Sequence, residues 1–233
     1  MDFLGRGVQS DGEAIKAIME EIAAEAVDDG VVFDSLKIAV EQIAEKAEYG
    51  GLRVSIGCSM GGARNILRVD VGFGDRITAG PIEVDFPVML DFPVPRVKVY
   101  SLESAIAEKF EAIVRLNVVT SRMKDFYDLA HLAGHHAFQA GVLAEAIRVT
   151  FSTRGTPLAD RRLILGDTYR NDHSREAQWM AFHATNRLTP VRTFGEALEL
   201  IERFLEPILV DQTPDLRWMP DQLQWQMYDG GSG

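Results

Sequence analysis

"NILRVDVGFGDRI", residues 65–77, decides how the first part of this chain folds. Ile66, Val69, Val71 and Phe73 are strand formers, and Asp70 falls among them. Strand geometry turns Val69 and Val71 to one face and Asp70 to the other. An aspartate inside an apolar strand is costly unless it is hydrogen-bonded, paired or bound to a metal. Alternation equally allows it to face solvent, so a structural and a functional reading stand level. The glycines of "GFGD" mark a tight turn in which backbone can approach a ligand.

The same texture extends outward from this strand. "VVFDSLKIAVEQI" and "LRVSIGCSM" precede it and "IEVDFPVML" follows, each a strand candidate bounded by turn residues. "LDFPVPRVKV", with Pro93 and Pro95, cannot be helix and reads as an extended connector. Before the strands, residues 11–27 predict a helix, with Ile15, Ile18, Met19 and Ile22 at helical spacing behind Asp11 as its cap.

After Tyr100 the period changes to that of helices, at about 101–115, 123–134, 138–151, 173–186 and 193–209. The end, "WMPDQLQWQMYDGGSG", reads as a loose tail. The expected fold is therefore α+β: a β-rich part over 1–98, then a helical domain over 99–233.

Composition bounds the function. The chain has 233 residues, 46% of them apolar, enough for a sizeable core. Its single cysteine, Cys58, forms no intrachain disulfide, and a reducing, cytoplasmic location is expected. "MDFLGRGVQSDGE" has no basic and apolar run of a secretion signal, and no stretch reads as membrane-spanning. The net charge of −11 argues against a broad, nonspecific grip on nucleic acid. Acidic residues crowd "MEEIAAEAVDDG", whereas Arg148, Arg154, Arg161, Arg162, Arg170 and Arg175 come later, so a local basic site is compatible with this balance.

Two helices carry unusual charge. In "SLESAIAEKFEAIVRL", Ser101 is an N-cap candidate, and Leu102, Ile106, Phe110, Ile113 and Val114 form the buried stripe. Lys109 falls within that stripe, either snorkelling to water or serving something buried and negative. In "TSRMKDFYDLAHL", residues 120–132, Asp125 and Asp128 follow Arg122 and Lys124 at the helix start. Their plain reading is capping and local pairing. His131, His135 and His136 read as surface or helix-end histidines, because no other ligand pattern accompanies them.

Together, "VDVGFGD", "YSLESAIAEKFEAIVRL" and "TSRMKDFYDLAHL", with "YGGLRVSI" and "AIRVTFSTRGT", resemble the AbiEii/AbiGii nucleotidyltransferase toxins, a branch of the polymerase-β-like superfamily. The resemblance covers most of residues 30–155. It implies a partial polymerase-β-like nucleotidyltransferase core followed by a helical domain. It also implies an activity: a nucleoside monophosphate passes from a nucleoside triphosphate to an acceptor hydroxyl. The acceptor would be RNA, tRNA especially, and a cognate antitoxin protein would be the partner. Magnesium would be held by carboxylates against the triphosphate.

By that resemblance Asp70 matches the third metal carboxylate, and Lys109 and Asp125 match the lysine and aspartate of the helical part. Asp128 and Arg122 join Lys109 as nucleotide-binding candidates. Asp2, in "MDFLGRG", matches the second aspartate of the strand pair. The first aspartate and the glycine-serine turn have no match, so weak turnover of this chain is expected. The alternative is a catalytically impaired remnant that only binds nucleotide or a protein partner.

Overall fold

The computed structural model describes residues 2–5, 7–8, 10–25, 27–43, 51–73, 80–117, 122–189, 192–210 and 215–228. The chain divides into two compact units, Met1–Asp75 and Arg76–Gly233.

The first unit is a sheet with one covered face. Its elements are β1 (Asp2–Gly5), α1 (Gly12–Ala24), β2 (Val31–Ile43), β3 (Gly51–Met60) and β4 (Ala63–Phe73). The strand order is β1-β4-β3-β2, with β1 parallel to β4 and the other pairs antiparallel. Asp11 caps α1 by accepting the backbone N–H of Glu13, as its sequence position suggests. Ile15 of α1 is buried with Ile38, Leu52, Val54, Ile56, Val69 and Val71 of the sheet.

Alternation then fixes the opposite face. Because Val69 and Val71 are buried, Asp70 lies on the face away from this core, beside Arg53 and Ser55 of β3. The strands expected from "VVFDSLKIAVEQI", "LRVSIGCSM" and "NILRVDVGF" are β2, β3 and β4.

The second unit opens with a hairpin of β5 (Ile82–Asp85) and β6 (Arg96–Val99). The proline-bearing connector thus ends as a strand once Pro95 is passed, where each residue again has an N–H to donate. The two units divide on the N-terminal side of this hairpin, whereas the change of period in the sequence falls on its C-terminal side.

Helices follow: α2 (Leu102–Leu116), α3 (Met123–His135), α4 (Ala140–Thr153), α5 (Asp167–Arg170), α6 (His173–Thr185) and α7 (Phe194–Val210). A 3-10 helix spans Leu158–Leu163. Ile106, Phe110 and Ile113 of α2 share one core with Phe126 and Leu129 of α3, Leu143 and Ile147 of α4, and Leu198, Ile201 and Phe204 of α7. The architecture is α+β, with a mixed sheet first and helices after it.

The C-terminal stretch expected to be loose is a hairpin, β7 (Leu216–Met219) with β8 (Gln224–Met227). Its order has a physical cause. Trp218 is fully buried and its indole N–H donates to the Ala133 carbonyl at 2.6 Å, while Trp225 donates to Phe204 at 2.8 Å. The last residues, 229–233, lie outside the described ones.

Candidate functional site

The expected site residues form two groups, one in each unit. In the first unit, β3 and β4 are joined across Gly61 and Gly62, so that Met60 pairs with Ala63 and, further out, Arg53 with Asp70. The pairing puts both side chains on the open face. Arg53 Nε donates to Asp70 Oδ1 and Nη2 to Oδ2, each at 2.7 Å. The planar guanidinium matches the carboxylate, and the fork engages both oxygens. This hydrogen bonding, foremost, holds the Asp70 carboxyl below the usual carboxylate range, partly opposed by desolvation.

Arg53 and Asp70 line a cavity of about 550 Å³ with Glu41, Ser55 and Arg68. Two guanidiniums, two carboxylates and a hydroxyl meet there, and the sheet's apolar residues turn the other way. Asp2 occupies the register position next to Asp70 across the parallel ladder.

Sequence reasoning missed Arg53, although the signal was present. A two-glycine turn fixes the register of a hairpin, and counting outward from Gly61–Gly62 pairs Arg53 with Asp70.

In the second unit, Lys109 of α2 faces the start of α3. Its Nζ lies 2.5 Å from Asp128 Oδ2 and 3.4 Å from Asp125 Oδ1. The lysine side chain is 23% exposed and that of Asp125 only 7%, so the ammonium turns to carboxylates rather than snorkelling. Asp125 does not cap α3: Arg122 is the N-cap position and Asp125 the third helical residue. Arg122 Nε approaches Asp125 Oδ2 at 2.7 Å, but out of line for a hydrogen bond, so this contact is a charge pairing without a directed donor. Lys124 Nζ stands 3.5 Å from Asp128 Oδ2, one helical turn away. Lys109, Asp125, Asp128 and Arg122 therefore form one charged cluster.

Besides Asp125 of α3, α2 carries a buried acid of its own. Glu111 is fully buried and accepts from Arg115 Nε at 3.0 Å, Arg154 Nη1 at 3.0 Å and Thr156 Oγ1 at 2.5 Å. Its sequence signal was its position one residue after Phe110 and three before Val114, both in the stripe. The three histidines stay at the exposed end of α3, where His131 and His135 stack at 4.1 Å. Burial first, then repulsion from His135 and His136, lowers the His131 pKa.

Carboxylate oxygens suit a hard divalent cation. Here, however, Arg53 engages both oxygens of Asp70, and Lys109 stands between the two acids of α3. Among the described residues no group of three His, Cys, Asp or Glu side chains could hold a metal ion. As arranged, the described residues do not fit one.

Among the described residues no helix is long and apolar enough to cross a membrane. No curated protein matches the chain. Two solved structures resemble it weakly. One is a candidate nucleotidyltransferase from H. pylori, with 13% identity, 89% of this chain and 79% of that chain covered, and a TM-score of 0.39. The other is JHP933 from Helicobacter pylori, with 14% identity, 88% and 76% covered, and a TM-score of 0.40. Residues 1–200 match the family described as nucleotidyl transferase AbiEii toxin, type IV TA system, a span that includes the Arg53–Asp70 fork and the Lys109 cluster. The chain belongs to the AbiEii family of nucleotidyltransferase toxins.

Proposed function

We propose that this nucleotidyltransferase moves a nucleoside monophosphate from a nucleoside triphosphate to a hydroxyl of RNA, tRNA in particular, with release of pyrophosphate. The observation that carries the reading is Lys109, held between Asp125 and Asp128 at the start of α3. A compact ammonium whose position is fixed by two carboxylates is a suitable partner for a triphosphate. Asp125 and Asp128 orient it, Arg122 adds a second cation, and Asp70 and Asp2 are the strand acids of the reaction. Magnesium accompanies the triphosphate in this proposal. The reading includes a cytoplasmic site of action and a cognate antitoxin as partner.

The test is transfer of label from an α-labelled triphosphate to a panel of RNAs. Asp70→Ala is expected to abolish transfer and Lys109→Ala to lower it strongly, with both variants folded by circular dichroism. Equal transfer by Lys109→Ala and the parent chain would overturn the assignment of the lysine.

A second reading has its own support. The Asp70 carboxylate is fully engaged by Arg53, and such a locked acid suits a chain that binds nucleotide or a protein partner without turnover. Magnesium-dependent nucleotide binding with no label transfer to any RNA would favour it.

A further inference from the structure

Lys109 and Glu111 are two positions apart on α2, so about 200° separates them around the helix. The buried Ile106, Phe110 and Ile113 lie between, and the two charged groups flank this stripe on opposite sides. One flank looks at α3, where Lys109 meets Asp125 and Asp128. The other looks at the end of α4. There Arg154 Nη1 donates to Glu111 Oε2 at 3.0 Å, and its Nη2 stands 3.8 Å from Glu108 Oε2. Gly155, at φ 64°, turns the chain out of α4, and the Thr156 N–H donates back to the Phe151 carbonyl at 3.0 Å. That turn brings the Thr156 hydroxyl onto Glu111 Oε1, which Arg115 Nε also reaches.

Stability does not account for this arrangement. Taking a carboxylate and a guanidinium out of water costs about as much as their pairing returns, and apolar side chains of similar volume would hold α2 to α4 as well. What differs is direction. Apolar contacts let a helix roll by small angles, whereas a hydrogen-bonded carboxylate on one flank fixes its rotation. A roll of about 10° moves a group some 6 Å from the axis by roughly 1 Å. A misplacement of that size costs on the order of a hundredfold in rate. A triphosphate that draws the Lys109 ammonium also loosens its ties to Asp125 and Asp128, so the tie on the far flank is then the one that holds α2.

We infer that Glu111 and Arg154 are positioning residues that fix the rotation of α2 and so set the place of Lys109 against a triphosphate. The inference rests on the reading of Lys109 as a phosphate partner. It gives "STRGT", residues 152–156, a part in the site at one remove, through the helix that carries the lysine.

The experiment measures binding of inorganic triphosphate by calorimetry, in magnesium buffer, on the full chain. Lys109→Ala is expected to weaken binding roughly tenfold, the scale of a lost charged hydrogen bond. The triple variant Glu111→Leu, Arg154→Met, Thr156→Val replaces the network by apolar side chains. It should stay folded by circular dichroism, with a denaturation midpoint near the parent's, yet bind triphosphate about as weakly as Lys109→Ala. Adding Lys109→Ala to the triple variant should then change little, because the network acts through the lysine. Arg154→Lys, which keeps a cation for Glu111, should retain most of the affinity. Where the triple variant does not fold, Glu111→Gln takes its place: it keeps the volume and an oxygen for Thr156, and its smaller loss should likewise vanish in the Lys109→Ala background.

Parental affinity in the network variant, with binding weakened by Lys109→Ala, would overturn the role of Glu111 and Arg154 and leave the lysine a phosphate partner. Losses that add in full when the network variant and Lys109→Ala are combined would also overturn it, since the network would then act elsewhere than through the lysine. Triphosphate binding untouched by Lys109→Ala, or absent from the parent chain, would overturn the reading of Lys109 and the inference with it.

Discussion

The two units treat charge in opposite ways. In the first, a single helix covers one face of a four-stranded sheet, and the other face carries Arg53, Asp70 and their neighbours half in water. In the second, helices enclose a larger core, and acids such as Glu111 and Asp125 are buried with their partners. Pairs in water are exchangeable, because solvent and ligands compete for either partner at little cost. Buried pairs are part of the packing, and removing one member leaves the other stranded in a poor dielectric. The fork on the sheet is thus open to exchange with solvent, whereas the network around Glu111 is held in place by the packing of the helices.

The contrast can be broken first at the C-terminal hairpin. Trp218→Ala removes a fully buried ring and its hydrogen bond to Ala133, and is expected to cost about 4 kcal/mol. Chemical denaturation should show the loss in the helical unit. Next is Glu111→Ala, which leaves Arg115 and Arg154 facing each other without their shared carboxylate. A loss of about 3 kcal/mol is expected, since the acid is fully buried. Arg115 and Thr156 lose the carboxylate they donate to, and Arg154 is left with the more distant Glu108 at 3.8 Å. Lys109→Ala should cost less, about 2 kcal/mol, because its neighbour Asp128 is partly open to water. The double variant with Asp128→Asn should recover part of that loss, as the surviving acids no longer repel.

Arg53→Gln should change stability least, by under about 1 kcal/mol. Its effect belongs to acid titration. Arg53 depresses the folded pKa of Asp70 below the ordinary aspartate value of the unfolded chain, so its stabilising effect is present above that value and disappears as pH falls through the folded pKa. Carbonyl NMR should find Asp70 titrating below the ordinary aspartate range in the parent and closer to that range in Arg53→Gln. Titration at the same pH in both proteins would sink the fork as its cause.

Much of this was legible in local pattern. The alternation of "NILRVDVGF" set the buried face of β4, and the stripes of α2 and α3 brought out Lys109 as a charge among apolar neighbours. What local pattern missed depends on distant contacts or very short elements. β1 has four residues, too few to show a period. Trp218 looks like part of a polar tail until Ala133, 85 residues earlier, receives its N–H. Arg53 reads only as an outward residue until the register sets Asp70 opposite it. That the acids of α3 pair with Lys109 rather than cap their own helix follows from the packing of α2 on α3, which neither helix encodes alone.

The division into two units also separates the chain's optical probes. All three tryptophans, Trp179, Trp218 and Trp225, lie in the helical unit, and the single cysteine, Cys58, lies on β3 of the sheet. Intrinsic tryptophan emission therefore reports the unfolding of the helical unit and is silent about the sheet that carries Asp70. Cys58 is half-buried, with its thiol directed at the Asn65 carbonyl at 3.6 Å, so its rate of modification rises when β3 and β4 separate. Emission and thiol labelling, followed in one sample, give separate melting curves for the two halves of the enzyme without any added tag.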